Sequence, residues 1–322
     1  MGTVLSINDL SVDFSTQNGT VHALRNVNLN IPQNRIVGIV GESGSGKSTV
    51  VSAVIRLLAN NASVLGGTIH FEGRSILKMK EKELRALRGE EIAMVFQDPM
   101  TAQTPVLSIG QQMIDIQYRR PLPNREKRNN AIAMLNRVGI PDAAERIDQY
   151  PHQFSGGMRQ RISIAMALMM NPKLLIADEP TTALDVTLEA QIIHLLREMK
   201  KSFDGSIIIV SHNLGLIAEL CDEVIVMYAG EVVEQASVDD LFYRASHPYT
   251  RALLECDPAR LEELAEDLPT IPGDVPDLQM VSPGCIFAPR CTEEFDTCSQ
   301  RSPSMVTLSS THKARCHLLE NG

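Results

Sequence analysis

Short apolar runs, each followed by polar or glycine-rich residues, recur along the chain and predict buried β-strands. The run Arg35–Val40 is rich in β-branched residues and leads through a glycine-rich loop into a helical pattern. Lys173–Pro180 and Ser206–Val210 begin as runs of the same kind. Because strands that alternate with helical segments form parallel sheets, we expect an α/β fold.

The pattern differs on either side of these strands. Residues 98 to about 168 carry no strand pattern, so we expect a helical subdomain there, with helices at Arg125–Val138 and Ala143–Gln149. Before residue 96, alternating apolar and polar positions predict short strands. These are Val4–Val12, Val21–Ile31 and Gly67–Phe71.

Two local patterns follow residue 180. Apolar side chains at helical spacing predict a helix with one face packed in the core. The segment 223–235 predicts a β-hairpin that turns at Ala229 and Gly230. The apolar face of the helix consists of Leu188, Ile192, Leu195 and Met199.

The composition narrows the class of protein. The chain has 322 residues, of which 43% are apolar and 21% charged, as in ordinary globular proteins. Its formal net charge of −9 argues against a protein that grips a nucleic-acid backbone, which needs a basic face. No run approaches the roughly 20 continuous apolar residues of a membrane-spanning helix. We therefore expect a cytosolic chain that binds no nucleic acid.

The segment Gly41–Ser48 has the chemistry of a phosphate-binding loop, or P-loop. It reads GESGSGKS and lies between a predicted strand and a predicted helix, which is the context that this motif requires. The glycines let backbone amides turn toward phosphate groups, Lys47 reaches the terminal phosphates, and the Ser48 hydroxyl can bind Mg²⁺. The residues predicted to bind a nucleoside triphosphate are Gly41, Ser43, Gly44, Ser45, Gly46, Lys47, Ser48 and Thr49.

Ionisable residues follow the other two strand runs. Asp178 suits direct or water-mediated Mg²⁺ ligation, and Glu179 points the other way, where a carboxylate can polarise an attacking water. An isolated acid pair could cap a strand end, but after a P-loop and an apolar strand we favour the catalytic interpretation. His212 follows a strand end, where ligands gather in parallel sheets, although a lone histidine is more often a surface or capping residue.

A second candidate phosphate loop lies at Ser155, Gly156 and Gly157. These residues precede a helix-prone run, so their amides would lie at a helix N-terminus, where a partial positive charge favours anions. One chain therefore has two candidate phosphate-binding segments, more than a hundred residues apart.

Taken in order, these motifs resemble the ATP-binding cassettes of ABC transporters. The resemblance covers nearly the whole chain. It implies an α/β P-loop ATP-binding cassette with a RecA-like core, an antiparallel β subdomain and a helical subdomain, plus a small cysteine-containing C-terminal extension. Besides the P-loop, the matching motifs are Gln97, FSGGMRQR at 154–161 (the signature segment), LLIADEP at 174–180, ALD at 183–185, and His212.

The resemblance also implies a role for each motif. In this family two cassettes sandwich ATP, so the Ser-Gly-Gly of one cassette grips the γ-phosphate held by the P-loop of the other. Gln97 would sense Mg²⁺ and water and couple to the membrane subunits. Asp185 would cross the dimer seam, and His212 would contact the γ-phosphate. Phe14 is the candidate for stacking on adenine, with a core position as the alternative.

The end of the chain resembles the C-terminal region of ATPase subunits from peptide importers, a branch with oligopeptide, dipeptide and nickel systems. Met158 in the signature segment and QDPMT at 97–101 point to the same branch. We therefore expect a cassette at 1–245, with its helical subdomain at about 98–168, and a C-terminal extension at 246–322.

The chain departs from this branch at two places. AQTP at 102–105 stands where the branch usually has Ser-Leu-Asn-Pro, in the region where a coupling helix of the membrane subunit would dock. Asn213 stands where Asp is usual, so His212 lacks its usual acidic neighbour.

Four of the six cysteines fall within the last forty residues. Their spacing, C-x₅-C-x₆-C-x₁₇-C, lacks the tight pairs of structural zinc sites, and disulfides do not suit a cytosolic ATPase. Loosely spaced thiolates are compatible with an iron–sulfur cluster, and members of the resembled branch carry a [4Fe–4S] site. Zinc and unliganded thiols are the alternatives. The four residues are Cys285, Cys291, Cys298 and Cys316.

These inferences predict the ATP-hydrolysing subunit of an ABC importer for di- or oligopeptides. The expected cofactors are ATP, Mg²⁺ and a [4Fe–4S] cluster. The resemblance implies as partners a second homologous ATP-binding subunit, two transmembrane permease subunits and an extracytoplasmic solute-binding protein, with this chain peripheral at the cytoplasmic face of the inner (plasma) membrane.

Three alternatives remain at this stage. The importer could carry another small solute, such as a nickel chelate or a glycoside. A soluble ABC ATPase of DNA repair or translation would need coiled-coil arms or tandem cassettes, which the sequence lacks. A non-catalytic regulatory cassette is disfavoured by the intact Lys47, Asp178 and Glu179.

Overall fold

A computed structural model describes residues 2–98, 102–182, 184–201, 203–257 and 269–320. The chain divides into two compact units. The first contains Met1–Lys78 and Val210–Gly322, and the second contains Met79–Ile209. In chain order the strands are β1 (Thr3–Thr16), β2 (Gly19–Pro32), β3 (Ile36–Val40), β4 (Ala62–Phe71), β5 (Arg74–Ser75), β6 (Ile92–Val95), β7 (Leu174–Asp178), β8 (Ser206–Val210), β9 (Glu223–Tyr228), β10 (Glu231–Ser237), β11 (Met305–Thr307) and β12 (Lys313–Arg315).

The helices are short, and in the described ranges none is both long and apolar enough to cross a membrane. In chain order the α-helices within the described residues are α1 (Lys47–Val54), α2 (Glu81–Leu87), α3 (Ile109–Ile116), α4 (Asn124–Arg137), α5 (Ala143–Arg146), α6 (Gly156–Leu168), α7 (Val186–Lys200), α8 (Leu214–Leu220), α9 (Val238–Arg244), α10 (Pro248–Glu255) and α11 (Asp296–Gln300).

An antiparallel sheet in the first unit has the strand order β2-β1-β4-β5. Strands β1 and β2 pair along their whole length, and Leu5 and Ile7 are fully buried while Ser6 between them is half-buried. This period of two follows from a sheet with one face on the core. The strands predicted before residue 96 are confirmed, and each is longer than its apolar pattern.

The second sheet of the first unit carries the P-loop. Its strands here lie in the order β11-β12-β10-β9-β3. Strand β3 is buried at every residue and runs parallel to β9, as its continuous apolar pattern predicts. The predicted hairpin is confirmed, because β9 and β10 pair antiparallel on either side of Ala229 and Gly230. Strands β11 and β12 come from the C-terminal extension at 246–322, called the C-terminal tail below, and extend this sheet from β10.

The second unit contains strands in the order β8-β7-β6 and the helices α2 to α7. Between β6 and β7 the described residues form only helices, turns and irregular segments, which agrees with the predicted helical subdomain. On α7, Ile192, Leu195 and Met199 are buried as predicted, whereas Leu188 is half-buried.

One predicted helix is shorter than its pattern. Helix α5 ends at Arg146 instead of continuing to Gln149. The carbonyl oxygens of Ile147 and Gln149 accept hydrogen bonds from the backbone amides of Gly110 (2.7 Å) and Ile109 (2.9 Å) at the start of α3. Contacts between distant segments therefore determine where this helix ends. The local sequence pattern does not predict such contacts.

Candidate functional site

The P-loop leaves β3 and enters α1 through two glycines in conformations that other residues rarely adopt. Gly41 has a φ of 147°, and a Cβ atom there would lie 2.1 Å from the carbonyl oxygen of Met227. Gly46 caps α1 in the left-handed region, with a φ of 97°. These conformations allow the tight turn that directs backbone amides toward an anion at the start of a helix.

Two side chains of the P-loop, Lys47 and Ser45, are buried. Lys47 is buried, and its Nζ donates hydrogen bonds to the carbonyl oxygens of Gly41 (2.8 Å) and Glu42 (2.9 Å). The Ser45 hydroxyl is buried and has no hydrogen-bond partner among the described residues. Buried hydroxyls are nearly always bonded, so this one suits a ligand with acceptor oxygens, such as a phosphate.

Phe14 in β1 lines an open cavity of about 270 Å³ next to α1. The same cavity is lined by Ser48 and Thr49, and by the apolar side chains of Leu57 and Leu58. Phe14 is half-buried, so it does not belong to the closed core. A planar apolar group could therefore lie against its ring beside the P-loop.

His212 is exposed in the short connection between β8 and α8. The backbone amide of Ser211 donates to the carbonyl oxygen of Ile39 (3.2 Å), which holds this connection beside the P-loop strand β3. Asn213 caps α8, because its Oδ1 accepts from the amide of Leu216 (3.1 Å). Asn and Asp cap helices equally well, so the departure from Asp removes a charge beside His212 but keeps the cap.

In the second unit, the predicted catalytic acids stand at the end of β7. Asp178 is the last residue of the strand and is buried. Glu179 has a φ of 50°, which is uncommon for a residue other than glycine. Its Oε2 accepts a hydrogen bond from the Thr182 hydroxyl at 2.5 Å. The change in backbone conformation turns Glu179 away from the path of the strand.

Gln97 lies at the same edge of the sheet as these acids. Strands β6 and β7 are parallel and in register, with Val95 beside Ala177. Gln97 comes two residues after Val95 and is exposed. Because the carboxyl ends of parallel strands share one edge, Gln97 and Asp178 both lie at that edge.

The signature segment starts α6 with an open N-terminus. Ser155 is exposed and caps the helix, with its Oγ accepting from the amide of Met158 (3.4 Å). Around Gly156 there is open space, whereas a Cβ atom on Gly157 would lie 2.8 Å from Leu188. One glycine therefore leaves room for a ligand, and the other lets α6 pack closely on α7.

Asp185 is the N-cap residue of α7, as Ser155 is of α6. It is exposed, and its Oδ1 accepts from the backbone amide of Leu188 (2.9 Å), so it caps the helix. Of the ALD motif, Ala183 lies outside the described residues.

Two residues of the C-terminal tail contact the P-loop, and sequence reasoning missed both. The Tyr249 hydroxyl accepts a hydrogen bond from the amide of Glu42 (2.9 Å), and the Arg290 guanidinium pairs with the Glu42 carboxylate (2.8 Å). The sequence offers only a weak signal for this contact, an arginine next to Cys291 and more than two hundred residues from the loop that it binds.

The four cysteines of the tail line one small cavity of about 10 Å³. All six cysteines of the chain are free thiols. Burial raises the pKa of Cys285 to about 11, and burial also raises the pKa values of Cys291 and Cys316. Within the described ranges, no group of three or more His, Cys, Asp or Glu side chains is arranged to hold a metal ion. The structure therefore brings the predicted thiols together but does not form a metal site from them.

Two family models match the chain. One, described as ABC transporter, matches residues 24–182. The other, described as the oligopeptide/dipeptide transporter C-terminal region, matches residues 233–298. The first match contains the P-loop, the signature segment and Glu179, and the second contains Tyr249 and Arg290.

Solved structures share the fold. The cassette CbiO1 of Clostridium perfringens, part of an ABC transporter complex, has a TM-score of 0.65 and 32% identity, covering 76% of this chain and 92% of that one. The ATP-binding cassette MJ0796, as a dimer bound to ADP and phosphate, has a TM-score of 0.65 and 27% identity, covering 73% and 98%. The predicted α/β cassette fold is therefore confirmed.

Curated relatives match over almost the full length. The oligopeptide transport ATP-binding protein OppD of Salmonella typhimurium is 46% identical over 301 residues, which cover 93% of this chain and 89% of the relative. The dipeptide transport ATP-binding protein DppD of Bacillus subtilis is 45% identical over 320 residues, which cover 99% and 95%. The chain belongs to the family of ABC transporter ATP-binding proteins, among those with the oligopeptide/dipeptide transporter C-terminal region.

Proposed function

We propose that this chain is the ATP-hydrolysing subunit of an importer that takes up di- or oligopeptides. The observation that carries the proposal is the similarity over almost the whole length, tail included, to relatives named for oligopeptide and dipeptide transport. This subunit does not itself contact the cargo, so the relatives supply the substrate class.

The chemistry that we propose uses ATP with Mg²⁺. The P-loop and Thr49 bind the phosphates, and Phe14 stacks on the adenine. Ser48, Gln97 and Asp178 supply ligands for Mg²⁺. The exposure of Gln97 and the orphaned hydroxyl of Ser45 support these roles.

Glu179 orients and polarises the attacking water in this proposal, and His212 contacts the γ-phosphate. General-base assistance of this kind contributes about 10²–10⁴-fold to a rate. The support for Glu179 is its left-handed backbone and its hydrogen bond from Thr182, which together hold the carboxylate in one orientation.

We further propose that hydrolysis needs a second, homologous ATP-binding subunit. Ser155, Gly156 and Asp185 are open or exposed at helix N-termini, which suits binding of a nucleotide held by that partner. Closure of the two cassettes would drive two transmembrane permease subunits that receive the cargo from an extracytoplasmic solute-binding protein. The chain would then lie at the cytoplasmic face of the inner membrane, as a peripheral subunit.

We also propose a [4Fe–4S] cluster at the four-cysteine cavity, and the support is the chemistry of its donors, because all four thiols line one cavity. Cys285, Cys291, Cys298 and Cys316 would hold it. Such a cluster would cross-link the tail, which has few apolar residues of its own there, and its role would be structural. We also propose that the cassette ends at residue 245 and that the C-terminal extension begins at residue 246.

The variant Glu179→Gln tests the proposed activity in the assembled transporter. It should retain ATP binding, lose at least about 100-fold in ATP turnover, and abolish ATP-dependent uptake of a labelled oligopeptide into proteoliposomes. Glu198→Gln, in an exposed pair with Lys201, is the matched control and should keep both activities. Turnover near the wild-type rate in Glu179→Gln would contradict the assignment. Uptake of a nickel chelate or a glycoside in place of peptides would contradict the substrate class.

A further inference from the structure

Glu42, the second residue of the P-loop, is held by groups from the C-terminal tail. Its carboxylate accepts two hydrogen bonds from the Arg290 guanidinium, at 2.8 Å from Nη1 and 3.1 Å from Nη2. Its backbone amide donates to the hydroxyl of Tyr249 at 2.9 Å. The Arg290 side chain is only 4% exposed and the Glu42 side chain 27%, so this is a partly buried, bidentate ion pair.

The Arg290 guanidinium also donates hydrogen bonds to groups outside the P-loop. Its Nε donates to the carbonyl oxygen of Pro272 (2.8 Å), Nη2 also donates to that of Ile271 (3.2 Å), and Nη1 also donates to the Tyr228 hydroxyl (3.2 Å). Every guanidinium nitrogen therefore has a protein acceptor. A guanidinium held on all sides positions its partner with little freedom.

Beneath the guanidinium lies an aromatic cluster that also holds Tyr249. The rings of Tyr228, Tyr249 and Phe287 pack with centroids 4.6 to 5.3 Å apart. All three side chains are almost completely buried. The two contacts to Glu42 therefore belong to one rigid assembly of tail and sheet residues.

The position of Glu42 matters for the chemistry of the P-loop in two ways. Its carbonyl oxygen accepts a hydrogen bond from Lys47 Nζ (2.9 Å), so the residue held by the tail also contacts the lysine of the loop. Its carboxylate is the one acidic group in GESGSGKS, and an unpaired negative charge there would repel a nucleoside triphosphate. Arg290 neutralises that charge.

We propose that Arg290, together with Tyr249, is a positioning residue for ATP binding, which sets the P-loop through Glu42 and cancels the charge of its only acid. This inference rests on the proposed role of Gly41–Ser48 as the phosphate-binding loop. Arg290 lies in a 3₁₀ turn directly before Cys291 and five residues after Cys285. In this proposal, the four-cysteine segment affects the ATP affinity through Arg290, which it carries.

The test is a double-mutant cycle on Arg290 and Glu42 in the full chain, with affinity measured from the fluorescence of a labelled ATP. Arg290→Met leaves the carboxylate unpaired and should weaken ATP binding about tenfold. Glu42→Gln keeps an acceptor for Arg290 and should stay within about threefold of wild type. The double variant should bind ATP more tightly than Arg290→Met alone, because the unpaired negative charge is gone. Unchanged affinity in Arg290→Met, or losses that multiply in the double variant, would overturn the proposal.

A tail arginine away from the P-loop provides the matched control. Arg301 pairs with Glu320, and Arg301→Met should leave ATP affinity unchanged. In the assembled transporter, Arg290→Met should raise the KM for ATP about tenfold with kcat changed less than twofold, a split that general loosening of the fold would not produce.

Two more variants keep the test decisive. If Arg290→Met does not fold, Tyr249→Phe replaces it, because this variant removes only the hydroxyl that binds Glu42. Tyr249→Phe should weaken ATP binding about threefold, and wild-type affinity would then overturn the proposal.

Lys47→Ala should abolish ATP binding if the loop binds phosphate. Normal binding in Lys47→Ala would show instead that the proposed function of the loop is wrong, independently of Arg290.

Discussion

At the scale of single residues, two adjacent residues with the same functional group differ in role because their backbone conformations differ. Asp178 and Glu179 are both carboxylates, but Asp178 completes a buried strand whereas Glu179 has a left-handed backbone and a hydrogen bond from Thr182. The sequence identifies both acids, because they follow an apolar run. It cannot identify the left-handed conformation of Glu179, since that depends on the turn that the next residues make.

Phe14 offers a prediction that separates base binding from phosphate binding. Phe14→Ala should weaken ATP binding about tenfold, which corresponds to about 1.4 kcal/mol of lost stacking, whereas Phe14→Trp should retain the affinity. Affinity for inorganic tripolyphosphate, measured by competition, should stay the same in both variants because the P-loop is unaltered.

An exposed aromatic residue of the same unit serves as control for Phe14. Tyr243 is 81% exposed, and Tyr243→Ala should bind ATP and tripolyphosphate as the wild type does. If Phe14→Ala lost affinity equally for ATP and tripolyphosphate, Phe14 would support the fold of the site and would not stack on the base.

At the scale of elements, α6 connects several functional segments of the second unit. The Gln160 side chain, near the start of α6, donates to the carbonyl oxygen of Pro180 (2.7 Å). Pro180 directly follows Glu179. On another side, Gln103 donates to the carbonyl oxygen of Arg159 (2.9 Å) and to the Ser163 hydroxyl (3.0 Å). The AQTP segment, the signature segment and the end of β7 are therefore joined by direct contacts, which is the physical requirement for coupling between them.

Ser155→Arg tests whether the signature segment serves a nucleotide held by another subunit. The ATP affinity of the isolated chain should not change, because Ser155 is exposed and only caps α6. Hydrolysis in the assembled complex should fall below detection, since the long cationic side chain would fill the space beside Gly156. A weaker ATP affinity of the isolated chain would mean that the signature segment acts on the nucleotide of its own subunit.

The sequence predicts elements well where the apolar period is strong and poorly where contacts between distant segments decide. Strand β3 and helix α4 lie within one or two residues of their predicted bounds. Strands β11 and β12 have three residues each and no apolar pattern. They exist because they pair with each other and with β10, so no local signal predicts them.

At the scale of the whole molecule, the C-terminal tail is part of the compact unit that contains the P-loop. Alongside Arg290, a second buried contact joins it to the sheet: His312 Nε2 lies 2.7 Å from Glu234, which is fully buried in β10. Glu234 also accepts from the backbone amides of Ser246 (2.7 Å) and His247 (3.0 Å). The sequence predicts an extension with its own cysteine site, but it does not predict that the extension contacts the P-loop, because the partners are far apart in the chain.

The last prediction concerns what the four-cysteine cavity holds. In the proposed cluster, the four thiols that line one cavity would bind iron as thiolates. Purified without air, the chain should be brown and contain about four iron atoms, and Cys291→Ser should lose both the colour and the iron. Because Cys291 follows Arg290 directly, the same variant should also weaken ATP binding. Cys256 does not line the cavity, so Cys256→Ser should keep the colour and the iron. Stoichiometric zinc without iron, or four reactive thiols in a chain with full ATP affinity, would contradict the cluster assignment.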